Sequence, residues 1–74
     1  MKPYDAETGS VWWFHHRDIL DIFVVLDGYE MDDQRGYECR RMLVLHSDDE
    51  ASTEIGLYSI SEGSPYNDSS TRFA

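Results

Sequence analysis

The apolar residues of this 74-residue chain fall in short runs, each followed by polar residues typical of turns. The runs are rich in β-branched and aromatic residues, which favour strands over helices. They are Val11–Phe14, Phe23–Leu26, Met42–Leu45 and the alternating segment Glu54–Ser61. So short a chain has room for four to five such strands, so we expect one mainly β domain. A bent antiparallel sheet or a small, partly open barrel would bury the apolar faces best.

One alternative concerns the second run. Asp18 is a suitable N-cap, and the apolar residues of Ile19–Phe23 also fit one face of a helix. The sequence therefore leaves room for one short helix, although the run Phe23–Leu26 favours a strand.

Polar segments mark the expected turns and ends. Asp27-Gly28 favours a turn, and Tyr29–Gly36 reads as a long hairpin loop. Ser47–Ser52 predicts an acidic turn. We expect residues 1–9 to be a loose lead-in and residues 64–74, which include the turn formers Ser, Pro, Asn and Asp, to be a flexible polar tail.

The order of four short motifs suggests a family. The motifs are Gly9-Ser10-Val11-Trp12, Phe23–Leu26, Met42–Asp48 and Ile60. This order resembles small SH3-like β-barrel proteins of phage and mobile-element type, whose function is unassigned. Ser10 stands where that pattern has Asp, and the tail has no counterpart. Over roughly residues 9–60, the resemblance implies an SH3-like barrel and a mobile-element origin, but no activity.

Charge restricts the expected partners. Fifteen Asp and Glu stand against six Lys and Arg, giving a formal net charge of -9. Such a surface repels nucleic acid and anionic membranes and favours basic proteins, including nucleic-acid-binding proteins. The apolar runs are too short to span a bilayer, and the first ten residues lack the apolar core of a signal peptide. We therefore expect a cytoplasmic location, in the host if the chain is phage-encoded.

Two acidic loops are candidate partner-binding sites. One contains Asp27, Glu30, Asp32 and Asp33, and the other contains Asp48, Asp49 and Glu50. Their carboxylates could imitate phosphates and occupy a basic groove on a partner. The alternative is that they only keep a small domain soluble.

Aromatic residues supply the second candidate feature. Trp12 and Trp13 are neighbours, so in a strand one side chain points inward and the other outward. An outward Trp13, together with Tyr29, Tyr37, Tyr58 or Tyr66, could form an apolar patch rimmed by acids, and such residues are common at interface hot spots. The alternative is that both tryptophans cover the ends of a barrel.

Neither a metal site nor a cofactor is expected. Cys39 is the single cysteine, so no intrachain disulfide can form, and a buried filler role in a strand is typical of such a residue. His15 and His16 are adjacent, so their side chains point to opposite faces of a strand and cannot easily share one ion.

Catalysis has little support in the sequence. His46, Ser47 and Asp48 are the residue types of a hydrolase, but consecutive residues cannot converge in the required geometry. We therefore expect a non-enzymatic acidic protein-binding module, in one version a nucleic-acid-mimic inhibitor of a basic partner. The alternative is a small structural or accessory subunit of a virion or other assembly.

Overall fold

The computed structural model describes residues 2–48 and 56–74, and these residues form one antiparallel sheet with a short helix. The strands are β1 (Val11–His16), β2 (Ile19–Asp32), β3 (Tyr37–Ser47), β4 (Gly56–Ser61) and β5 (Thr71–Arg72). They are ordered β4-β3-β2-β1-β5. Helix α1 spans Pro65–Ser69, and a short 3-10 helix spans Pro3–Asp5. The predicted mainly β class and antiparallel sheet are confirmed, and the sheet is open rather than closed into a barrel.

The second apolar run is a strand throughout, so the helical alternative for Ile19–Phe23 is wrong. β2 begins at Ile19 and pairs with β1 on one side and β3 on the other. Between β1 and β2, Arg17 adopts a left-handed conformation with φ of 57°, which allows a tight turn with Asp18.

The predicted turn at Asp27-Gly28 is also wrong, because β2 continues to Asp32. Its register against β3 shifts between Val25 and Tyr29, which marks a bulge. Gly28 has a φ of +93°, a left-handed conformation that glycine adopts easily and that one common class of bulge uses. The chain reverses only after Asp32, in the turn formed by residues 33–36.

The core lies on one face of the sheet, called here the inner face. Its buried apolar residues are Ala6, Trp12, Phe14, Phe23, Val25, Met42, Val44 and Ile60. The N-terminal segment and α1 close this face: Pro3 and Ala6 are buried, and Tyr66 packs with its ring centroid 4.4 Å from that of Phe14. One sheet therefore supports one core.

Both ends of the chain contain short elements of secondary structure. The expected loose lead-in contains the 3-10 helix, and the expected irregular tail contains α1 and β5. Ser64 caps α1 by accepting a hydrogen bond from the Tyr66 N–H at 3.2 Å, and Pro65 suits its first turn. β5 then pairs with β1 at Trp12 and Trp13.

Arg40 fastens the N-terminal segment to the sheet. Its side chain is buried at 6% exposure and donates hydrogen bonds to the carbonyls of Ala6 and Leu26, each at 2.8 Å. We expected Arg40 and Arg41 to balance acids across a strand pair. Arg41 does so, at 3.5 Å from Glu30, whereas Arg40 binds backbone carbonyls and hydroxyl groups instead.

Candidate protein-docking surface

The side of the sheet opposite the core carries a continuous apolar surface, which we call the outer face. Successive side chains of a strand point to opposite sides, so the neighbours of the core residues lie here. The central apolar residues of the outer face are Val11, Trp13, Ile22, Val24, Leu43, Leu57 and Phe73. Every strand therefore contributes, directly or through the residue that follows it.

Strand register aligns these side chains in a row across the sheet. Val11 lies opposite Val24, Val24 opposite Leu43, and Leu43 opposite Leu57. Phe73 extends the row on the other side, where its N–H donates to the Val11 carbonyl at 2.7 Å. Trp13 and Ile22 form the next row along the same face.

None of these seven residues is buried. Leu57 and Phe73 are 64% and 71% exposed, and the other five are half-buried. On the inner face, by contrast, Phe23 and Val25 are fully buried. Contiguous exposed apolar patches on small proteins mark interaction surfaces, so the outer face is the candidate functional site.

Trp12 and Trp13 lie on opposite sides of the sheet, as expected of neighbours in a strand. Trp12 is 2% exposed in the core and its indole N–H donates to Ser10 Oγ at 2.9 Å. Trp13 is half-buried on the outer face, opposite Ile22 and Thr71. The alternative in which both tryptophans close the ends of a barrel does not apply to this open sheet.

Tyr29 is not part of the surface around Trp13. β2 passes through the bulge and places Tyr29 opposite Arg40, on the inner side. There its hydroxyl donates to the Tyr4 carbonyl at 3.1 Å, and the Arg40 guanidinium lies 5.0 Å from its ring centroid. The structure therefore separates the two aromatic residues that the sequence grouped together.

The first predicted acidic group lies along the second half of β2 and in the turn that follows. Asp27 lies in the bulge, and Asp33 opens the turn; both are exposed. Asp32 is used locally, because its Oδ1 accepts hydrogen bonds from the N–H groups of Gln34 and Arg35 at 3.0 and 3.1 Å. Glu30 pairs with Arg41. Asp27 and Asp33 are therefore the members of this group that remain available to a partner.

The second predicted acidic group is at the opposite end of the sheet. Asp48 follows β3; its N–H donates to the Leu20 carbonyl at 3.1 Å, and its carboxylate lies 2.6 Å from His46 Nε2. Asp49 and Glu50 lie outside the described residues. The described acids of these two groups therefore lie at two ends of the outer face and do not form one surface.

The chemistry of the described residues offers no reactive group on this surface. Cys39 is a free, buried thiol in β3, and burial, with a smaller contribution from the Asp32 carboxylate, raises its pKa. It therefore stays protonated near neutral pH. Within residues 2–48 and 56–74, no three His, Cys, Asp or Glu side chains are placed to hold a metal ion.

The sequence contained a signal for the outer face. When one face of a sheet is exposed to solvent, its strands alternate between apolar and polar residues. Ile22–Leu26 and Met42–Leu45 are instead apolar at every position. Consecutive apolar residues in a strand place apolar side chains on both faces. Phe73 had no such signal, because it joins the row only through the pairing of β5 with β1.

No helix among the described residues has the length and apolar composition needed to cross a membrane. Comparison of the chain with protein-family models, with curated proteins and with solved structures gives no match.

Proposed function

We propose that this chain is a non-enzymatic protein-binding module that docks through its outer face on a basic protein. The observation that carries the proposal is the row of five apolar side chains crossing the whole sheet, all half-buried or exposed. Trp13 stands beside this row, and tryptophan is among the residues that contribute most to interfaces.

The charge of the chain supports a basic partner. A net charge of -9 attracts and orients a positively charged surface, and acids lie at both ends of the outer face. The apolar row would supply most of the affinity, and the acids would increase the association rate. A second copy of the chain brings the same charge, so self-association through this face is disfavoured at low salt.

The nucleic-acid-mimic form of the proposal has less support. Mimicry needs carboxylates arrayed on one surface, whereas Asp27–Asp33 and Asp48 lie at different ends of the sheet. Glu30 and Asp32 are also engaged by Arg41 and by the β2–β3 turn. The arrangement favours apolar docking steered by charge over the occupation of a phosphate-binding groove.

The test compares capture by two matched variants. Leu57→Ser with Phe73→Ser removes the two most exposed side chains of the outer face, so folding should be little affected. Met31→Ser removes a side chain that is 58% exposed but pairs with Glu38 on the inner side. Tagged chains would be cross-linked in lysate at about 50 and 500 mM salt, and captured proteins identified by mass spectrometry.

The proposal expects a basic protein captured by the wild type and by Met31→Ser, but not by the double variant. Capture should decrease at high salt. If the double variant captured the same proteins as the wild type, the outer face would not be the docking surface. If the chain captured only itself, and sedimentation showed oligomers lost in the double variant, the assembly-subunit alternative would replace the proposal.

A further inference from the structure

A concave site lies away from the outer-face row, at the corner where β3 begins and β4 ends. It is a cavity of about 380 Å³. Its lining residues are Tyr4, Tyr37, Glu38, Ser61, Glu62 and Gly63. We call it the tyrosine–glutamate pocket. The Tyr4 side chain and the carboxylates of Glu38 and Glu62 lie close together here, whereas the Tyr37 ring points to the other side of β3.

A buried side chain holds two walls of the pocket together. Asn67 of α1 is 2% exposed; its Oδ1 accepts a hydrogen bond from the Tyr4 N–H at 2.9 Å. Its Nδ2 donates to the Glu62 carbonyl at 2.8 Å. The Tyr4 ring also packs edge-on against Tyr29, with centroids 5.2 Å apart. The positions of Tyr4 and Glu62 are therefore fixed by the fold before any ligand arrives.

The two carboxylates have no cationic partner among the described residues. The salt bridges within residues 2–48 and 56–74 involve other acids. Lys2 lies near enough to Glu62 for a weak electrostatic interaction, but its salt bridge is with Asp68 at 2.9 Å. Burial, followed by the charges of Glu38 and Glu62, raises the pKa of the Tyr4 hydroxyl. Both carboxylates therefore lie near the Tyr4 side chain, where they can accept hydrogen bonds from one ligand.

We propose that the tyrosine–glutamate pocket binds an arginine side chain presented by a protein or peptide. A guanidinium is planar, so it can stack on a tyrosine ring while donating paired hydrogen bonds to a carboxylate. Tyr4 offers a half-buried ring close to both carboxylates, and Glu38 and Glu62 offer acceptors. The site uses no outer-face residue, so it is tested independently, although one basic partner could occupy both.

The test is a titration of the ¹⁵N-labelled chain with N-acetyl-L-arginine methylamide, followed by amide chemical shifts. Saturable shifts are expected at Tyr4, Glu38, Glu62 and Gly63. The citrulline analogue, which has the same shape without the charge, should cause none. The lysine analogue should bind more weakly, because an ammonium neither stacks nor forms paired hydrogen bonds as a guanidinium does.

Matched variants separate a specific site from general ionic attraction. Glu38→Gln with Glu62→Gln should weaken binding about tenfold, the effect of losing two charge-assisted acceptors. Asp27→Asn with Asp33→Asn removes the same charge outside the pocket and should leave the affinity within about twofold. Tyr4→Leu should weaken binding about threefold, whereas Tyr4→Phe keeps the ring and should not.

The spectrum of each variant also reports whether it is folded. Shifts that do not saturate, that spread over all exposed acids, or that fall equally in the two double variants would overturn the proposal. An equal response to the citrulline analogue would overturn it as well.

Discussion

Arg40 and Ala6 are joined by a hydrogen bond of 2.8 Å, in which the buried guanidinium donates to the carbonyl of the N-terminal segment. The same side chain donates to the Leu26 carbonyl, beside the bulge of β2. One residue of β3 therefore ties together the lead-in and the irregular part of the sheet. It also fixes the segment that carries Tyr4, a wall of the tyrosine–glutamate pocket.

Replacing Arg40 should therefore destabilise the fold. Arg40→Met keeps the length of the side chain but leaves buried carbonyl oxygens without donors, and we expect the free energy of unfolding to fall by about 3 kcal/mol. Urea denaturation measures this change. The control is Arg41→Met, which removes only a partly exposed ion pair with Glu30 and should cost less than about 1 kcal/mol. Equal losses in the two variants would contradict the role given to Arg40.

Local sequence predicts the strands and most of the sheet but not its continuity. The runs at Val11–Phe14 and Met42–Leu45 are β-branched, aromatic or aliphatic and bounded by polar turn residues, so their conformation is set locally. Asp27-Gly28 has a composition that suits both a hairpin turn and a bulge within a strand. Whether it closes a hairpin or bulges a strand depends on its pairing with β3, which is a long-range interaction.

The placement of the site residues follows the same division. Alternation within one strand predicts that Trp13 points away from Trp12. Tyr29 was misplaced because a turn was expected before it, so alternation was not continued from Val25 through the bulge. Phe73 and Asn67 belong to a segment that is polar and locally weak in structure. Their positions come from the pairing of β5 with β1 and from contacts of α1 with the N-terminal segment.

The bulge gives a direct test at Gly28. Gly28 and Gly63 both have open space where a Cβ would be added, but only Gly28 has a positive φ, of +93°. Gly28→Ala should therefore lower the free energy of unfolding by about 1–2 kcal/mol through backbone strain alone. Gly63→Ala should change it by less than about 1 kcal/mol, in the stabilising direction. Thermal denaturation of both variants checks this, and the expectation fails if Gly28→Ala is as stable as the wild type.

Cys39 should be unreactive in the folded chain and should make stability depend on alkaline pH. Its pKa is raised by burial above the usual value of 9.0, so the unfolded chain loses the thiol proton at lower pH than the folded chain. The stability that depends on the protonated Cys39 thiol is fully present below about pH 9, and it is lost as the pH rises through the pKa of the folded chain. The wild type should therefore lose more stability than Cys39→Ala between pH 8 and about pH 10.

Thiol modification gives an independent measurement on the same residue. At pH 8, iodoacetamide should alkylate Cys39 at least about tenfold faster in urea than in buffer, since burial restricts access and disfavours the thiolate. Equal alkylation rates in the two conditions would mean that the thiol is accessible in the folded chain.

The contact between Tyr66 and Asp21 connects α1 to the sheet. The Tyr66 hydroxyl donates to Asp21 Oδ2 at 2.6 Å, and the Asp21 side chain is buried, with its Oδ1 unpaired. Tyr66→Phe keeps the ring contacts with Phe14 and Phe23. It removes the donor to Asp21 Oδ2, so that neither oxygen of this buried carboxyl group accepts a hydrogen bond. We expect the free energy of unfolding to fall by about 2 kcal/mol.

The matched control for Tyr66→Phe is Tyr37→Phe. The Tyr37 hydroxyl accepts only an exposed hydrogen bond from Arg35 at 3.1 Å, so its loss should lower the free energy of unfolding by less than about 0.5 kcal/mol.

Combining Tyr66→Phe with Asp21→Leu removes the buried carboxyl group and should restore part of the lost stability, because a buried acceptor costs more without its donor than when both partners are apolar. Urea denaturation of the single and double variants measures the coupling. Additive losses would mean that the hydroxyl and the carboxyl group contribute independently, and that this hydrogen bond does not help to hold α1 on the sheet.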